Sequence, residues 1–231
     1  MKKLFIIAAI ATNVFAMQES QLVIPATTPK QQIVLNTQTI LVKNDNKKLD
    51  WTKITGKVEY SPNFIFNKTE SNIDFAKLGY QFNILSDADL LISHNNDLSM
   101  IGKSLEIRYV KSVTNGVINS GVVTPGYSIA FQAMPIDSNK ILLKGKINVV
   151  ELKQMSKFNS GSAVIDQPNT RSCDLQPTQT VKLGETLVID NCKINYDNVL
   201  STYFGESKVA DPDGSRDANI IFLITPRIVT K

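Results

Sequence analysis

Apolar and polar positions alternate with a period of two along much of this chain. In Tyr127-Ser128-Ile129-Ala130-Phe131-Gln132-Ala133-Met134, the residues Tyr127, Ile129, Phe131 and Ala133 fall on one face, the pattern of a half-buried strand. Asp137-Ser138-Asn139 then supplies a turn into the run Ile141 to Leu152, which alternates at its far end, so the pair predicts a long antiparallel hairpin. Upstream, Ile33 to Val42 is rich in β-branched residues and closes on the turn-prone Lys43-Asn44-Asp45-Asn46. Downstream, Thr178 to Leu183 and Thr186 to Ile189 predict a second hairpin turning at Gly184, and Ile220 to Val229 is the last strand.

Within that last strand Ile220-Ile221-Phe222-Leu223-Ile224 is apolar on both faces, so it needs protein or lipid on each side, and the expected source of that cover is like neighbouring copies in a closed wall, not a single copy. Pro226 lacks a ladder donor and is expected at a strand end or bulge. Helical spacing is weaker: short helices are expected near Ile73 to Phe82 and near Asp87 to Ser93, and residues 194–204 could form a third. The expected class is mainly β, with two or three short helices. No internal repeat or low-complexity tract interrupts the pattern.

The N-terminus changes the picture. Lys2 and Lys3 precede an apolar run from Leu4 to Phe15, with Val14 and Ala16 at the positions that a signal peptidase inspects, so residues 1–16 read as a cleavable export signal. The run falls short of the roughly 20 residues that a membrane-crossing helix needs. Residues 17–30, with Pro25 and Pro29, read as an extended lead-in, and residues 31–231 as one domain. Removing Lys2 and Lys3 lowers the formal charge of +4 to +2, and the remaining cations are dispersed among acids, which argues against a nucleic-acid partner.

The only two cysteines, Cys173 and Cys192, fit an oxidising compartment. A hairpin turning at Lys182, Leu183 and Gly184 would set them nearly opposite each other, for a structural bridge; the alternative is two unpaired small core residues. Catalytic chemistry is not expected. His94 is the only histidine, and Ser93 and Asp97 lie beside it in sequence, but a triad is defined by geometry, so a polar helix-end histidine is the plainer reading. Residues Asp211 to Asp217 echo part of a calcium loop without its closing Glu and read as a turn, so neither metal nor cofactor is expected.

Three segments, taken in order, resemble the pore domain of the bacterial secretin family. They are Pro168-Asn169-Thr170-Arg171, then Thr180-Val181-Lys182-Leu183-Gly184-Glu185-Thr186-Leu187-Val188-Ile189, then Phe222-Leu223-Ile224-Thr225-Pro226-Arg227-Ile228-Val229. Secretins carry a Pro-x-x-x-Arg element, a strand pair joined at a Gly-Glu/Gln-Thr turn, and a last strand ending Thr-Pro-Arg-Ile-Val. Leu49-Asp50-Trp51, Ile84-Leu85-Ser86 and Gly126-Tyr127-Ser128-Ile129 leading to Met134-Pro135-Ile136 are similar to further family segments, so the resemblance spans roughly residues 31 to 230.

The resemblance implies a homo-oligomeric ring with a double-walled β-barrel in the outer membrane, passing an exported protein, pilus or phage filament through a central gate. The matching gate segment, Gly102 to Pro125 and on into Gly126, holds Asn115, Gly116 and Gly121; glycines give backbone freedom to re-aim, although an ordinary flexible surface loop has the same composition. The family's Val-Pro-x-Leu-Gly-x-Ile-Pro membrane loop is missing. In its place Tyr196, Leu200, Tyr203 and Phe204 fall largely on one helical face, suiting either the membrane interface or docking on the barrel wall.

Secretins also carry ring-building periplasmic domains ahead of the pore and a pilotin-binding tail after it. Here only about fifteen mature residues precede Gln32, so separate periplasmic or inner-membrane assembly proteins are expected as partners. Two rival readings are a monomeric small outer-membrane β-barrel, and a soluble periplasmic β-sandwich that binds a partner protein.

Overall fold

The computed structural model describes residues 31–43, 49–50, 59–61, 64–67, 75–76, 79–92, 98–161, 163–204 and 217–230. The export signal, the lead-in, Trp51, the Ser93, His94 and Asp97 group and most of the Asp211 to Asp217 turn lie outside these residues. Gln31–Lys231 forms one compact unit.

The described chain is almost entirely antiparallel strand. Sheet A has the order β2 (Glu59–Ser61), β3 (Phe64–Asn67), β12 (Thr186–Asn195), β13 (Asp217–Thr230), β1 (Gln31–Lys43), β4 (Phe82–Ile92). Sheet B has the order β10 (Ala163–Leu175), β9 (Lys140–Ser160), β8 (Gly126–Pro135), β5 (Ser99–Ser104), with β11 (Thr178–Lys182) continuing the β10 side of β9. A separate two-stranded sheet holds β6 (Ile107–Thr114) and β7 (Val117–Val123), and one helix, α1 (Tyr196–Phe204), follows β12.

The period-two pattern places the core. Tyr127, Ile129, Phe131 and Ala133 are all buried, and the β8–β9 hairpin forms as expected, with Asn139 donating its amide to Asp137 at 2.8 Å in the turn. This face packs against the inner face of sheet A, where Leu35, Leu41, Leu187, Ile189, Phe222 and Ile224 complete a single cluster. The Tyr127 and Phe222 rings meet across the layers with centroids 6.5 Å apart.

Of the helix expected over Asp87 to Ser93, residues 87–92 are instead part of β4, and described residues 75, 76 and 79–82 are not helical. β4 pairs with β1 from Ile33↔Ile92 to Val42↔Phe82, and that ladder outweighs a weak local helical preference.

A second correction concerns β13. Its two apolar faces are both covered within one copy: Ile220, Phe222 and Ile224 by the main core, and Ile221 (0% exposed) and Leu223 (7%) by a second cluster on the far side of sheet A that includes Ile40, Val42, Leu49, Phe75 and Val188. Burial of this strand therefore does not by itself call for neighbouring copies. Nor do the described strands close into a barrel of one chain, since each sheet keeps open edges; that arrangement counts against the monomeric barrel.

Candidate functional site: a sheet-to-sheet corner and an inserted hairpin

Gly184 marks a turn, but not the one expected. β11 belongs to sheet B and β12 to sheet A, so Lys182 to Glu185 carries the chain from one layer to the other and closes no hairpin. The Glu185 amide donates to the Lys182 carbonyl at 3.0 Å, and Gly184 has φ +78°, which defines a type II turn with glycine where a positive φ is required. The Glu185 carboxylate accepts the Lys182 amide at 3.1 Å, so this side chain braces its own turn.

The last strand comes to the same corner. Gly184 donates its amide to the Pro226 carbonyl at 3.0 Å, and the Thr186 and Thr225 hydroxyls are 2.7 Å apart. Pro226 does not end its strand, which runs on to Thr230. Within a strand a residue's nitrogen and carbonyl point to the same side, so the missing donor of Pro226 lies on the flank where β12 has already stopped. Arg227 pairs with Asp89 of β4, reaching across β1.

A second seam lies along β10. Arg171 faces its cross-strand neighbour Glu151, with Nε 3.7 Å from Oε2, and donates to the Lys193 carbonyl of β12 at 3.3 Å. Glu151 is buried at 3% exposure, and Asn198 of α1 donates to its other oxygen at 2.7 Å. Asn198 is itself held by the helix cap, its amide donating to Asn195 Oδ1 at 3.1 Å. One residue from Lys193, Cys192 is bridged to Cys173. The bridge joins β10 of sheet B to β12 of sheet A, so the pairing is the one expected while its geometry is interlayer. Glu151 and Asn198 were missed by sequence reasoning. The signal was present: Glu151 follows Ile147 and Val149 on the buried parity of β9, where an acid needs a partner.

Pro168 sits on edge strand β10, where a missing amide donor is tolerated, next to the irregularity at Asn169 and Thr170. The helix-face residues Tyr196 (4% exposed) and Leu200 (8%) are packed in the main core with Val199, so these two have no surface left for lipid; α1 is docked on the sheets. The side chains of Tyr203 and Phe204 lie outside the described residues.

The gate-like segment folds as a hairpin inserted between β5 and β8, not as a loop. Asn115 (φ +51°) and Gly116 (φ +78°) form the type I′ turn that joins β6 to β7. At the base the Leu105 amide donates to the Pro125 carbonyl at 2.9 Å. Gly102 and Gly126 lie in β5 and β8, paired to Ser128 and Ser104, and Gly121 of β7 is opposite Tyr109. Val117, Ile118 and Val122 are exposed along this hairpin.

No family model matches the sequence, and a comparison with curated proteins finds no match. Among solved structures the chain is similar to secretins. The Vibrio cholerae type IV competence pilus secretin PilQ aligns at 14% identity and TM-score 0.39, over 88% of this chain and 62% of that one. The InvG secretin-domain β-barrel from the Salmonella SPI-1 injectisome aligns at 12% and 0.36, over 87% and 62%. The type II secretion system secretin GspD of Escherichia coli K12 aligns at 14% and 0.33, over 87% and 50%. The chain thus spans between half and two thirds of the length of these structures.

Proposed function

We propose that this chain is an exported subunit of a homo-oligomeric, gated outer-membrane channel of the secretin kind, with an exported protein or filament as cargo and separate envelope proteins as assembly partners. The observation that carries this reading is the meeting of the two motif segments. Gly184-Glu185-Thr186 and Thr225-Pro226 lie about 40 residues apart in sequence and hold each other at one corner, so the family-like words share one structural task.

Two further features support it. Among the described residues, sheet B ends in the unpaired edges of β5 and β10, and sheet A on one side in that of β4, with Met100 on β5 (69% exposed) and Leu91 on β4 among the exposed apolar side chains. Such edges in one copy are completed when like copies pair side by side. The β6–β7 hairpin then projects from the wall strands as a gate. The test is unheated gel electrophoresis of membrane fractions: a detergent-resistant multimer is expected, and a protein confined to the soluble fraction as a single copy overturns the proposal.

One observation favours a second reading, the soluble periplasmic sandwich. The apolar strand β13 is already covered inside one copy. The same gel separates the two readings.

A further inference from the structure

The β6–β7 hairpin has a ladder of its own, so something outside it must fix its position. β6 pairs with β7 on one side only. Between Val110 and Ser112 the register shifts, which leaves an irregularity at Lys111. The neighbouring Val110 amide points away from β7 and donates to the carboxylate of Asp166 on β10 at 3.0 Å. Around this bond the hairpin and the β9–β10 arm enclose a groove, lined on the hairpin side by Tyr109 and Lys111 and on the arm by Phe158, Ile165, Asp166 and Pro168.

We propose that Asp166 is a latch: its carboxylate holds the backbone of β6 against the β9–β10 arm and so fixes the closed position of the inserted hairpin. The arm suits this task because it runs beyond the buried part of sheet B, with Phe158 and Val164 half exposed near its tip, while its roots at Cys173 and Arg171 are tied to sheet A. The bond is made by one side-chain carboxylate, so it can be released without unzipping either hairpin. A filament or protein pressing on the arm or the hairpin would break one bond between two elements that each stay folded. The gating part of this inference rests on the channel reading; the contact itself does not.

The test uses the full-length protein, wild type and Asp166→Ala, with Asp166→Asn as the variant that keeps an acceptor oxygen. Hydrogen exchange at the Val110 amide is expected to quicken about fivefold or more in Asp166→Ala and to change less in Asp166→Asn. Unchanged exchange at Val110 in Asp166→Ala overturns the latch. In liposomes, Asp166→Ala is expected to conduct where the wild type is sealed, and faster exchange with a sealed pore overturns the gating role. A chain lacking residues 107–123 separates the two ideas: if it assembles and still passes no current, the channel reading fails, whereas the exchange result continues to judge the latch. Formation of the Cys173 to Cys192 bridge in each variant confirms that the fold is intact.

Discussion

The amide of Gly184 donates to the carbonyl of Pro226 at 3.0 Å, joining the turn that leaves sheet B to the strand that ends sheet A. The turn is glycine-dependent through its backbone and not through crowding, because φ is +78° and a Cβ at Gly184 would meet nothing within 4 Å.

Gly184→Val is therefore expected to cost about 1–2 kcal/mol and to lower the yield of assembled multimer, while Gly184→Asn is milder because Asn tolerates positive φ. Denaturant melts and unheated gels of the two variants measure this order. Equal behaviour of the two variants would count against the turn assignment.

Replacing Cys173 and Cys192 by Ser should remove about 2–4 kcal/mol, since the bridge closes a loop between the two layers. Chemical denaturation of the wild type with and without reductant should reproduce the same difference. An alkylation assay that finds two free thiols in the exported wild type would contradict the bridge.

Arg171→Ala leaves the buried Glu151 with Asn198 as its remaining described partner, and is expected to destabilise by roughly 2–4 kcal/mol. Glu151→Gln in the same background should recover part of that loss, because it removes the uncompensated charge. A double-mutant cycle reads the coupling, and an uncoupled pair would remove this seam from the account.

Phe75→Ala should cost about 3–5 kcal/mol, because Phe75 is fully buried in the cluster that covers Ile221 and Leu223 on the outer side of β13. Thermal unfolding checks it. A negligible change would mean that β13 draws its outer cover from elsewhere, and neighbouring copies would return as the source.

Much of the sheet structure was legible because it is written in alternation. Tyr127, Ile129, Phe131 and Ala133 announce their face, and the turn at Asp137 to Asn139 announces the return. What the sequence could not display was layer membership. Gly184 has the chemistry of a tight turn whether the flanking strands pair or separate, so a hairpin was expected where the chain changes sheets. Cys173 and Cys192 were matched correctly for the same wrong reason. In Phe82–Ile92, spacing suggested a helix around Asp87, but Asp87 and Asp89 accept from Gln38 and Asn36 across the β1 ladder, a non-local pairing that local pattern does not encode. The burial of β13 was read correctly as complete, and its source was misassigned because Phe75 and Leu49 are distant in sequence.

Deleting Asn115 to Gly121 removes the tip of a hairpin with its own ladder, so multimers should still assemble yet become leaky in liposome conductance. A sealed multimer would withdraw the gate assignment.

On the proposed reading, open strand edges on a covered sandwich are completed by identical copies in a closed wall. Particle mass and shape of the mature protein extracted from envelope membranes test it most directly. Closed rings of many copies that survive unheated detergent are expected. A stable, water-soluble single copy at every concentration tried would contradict it.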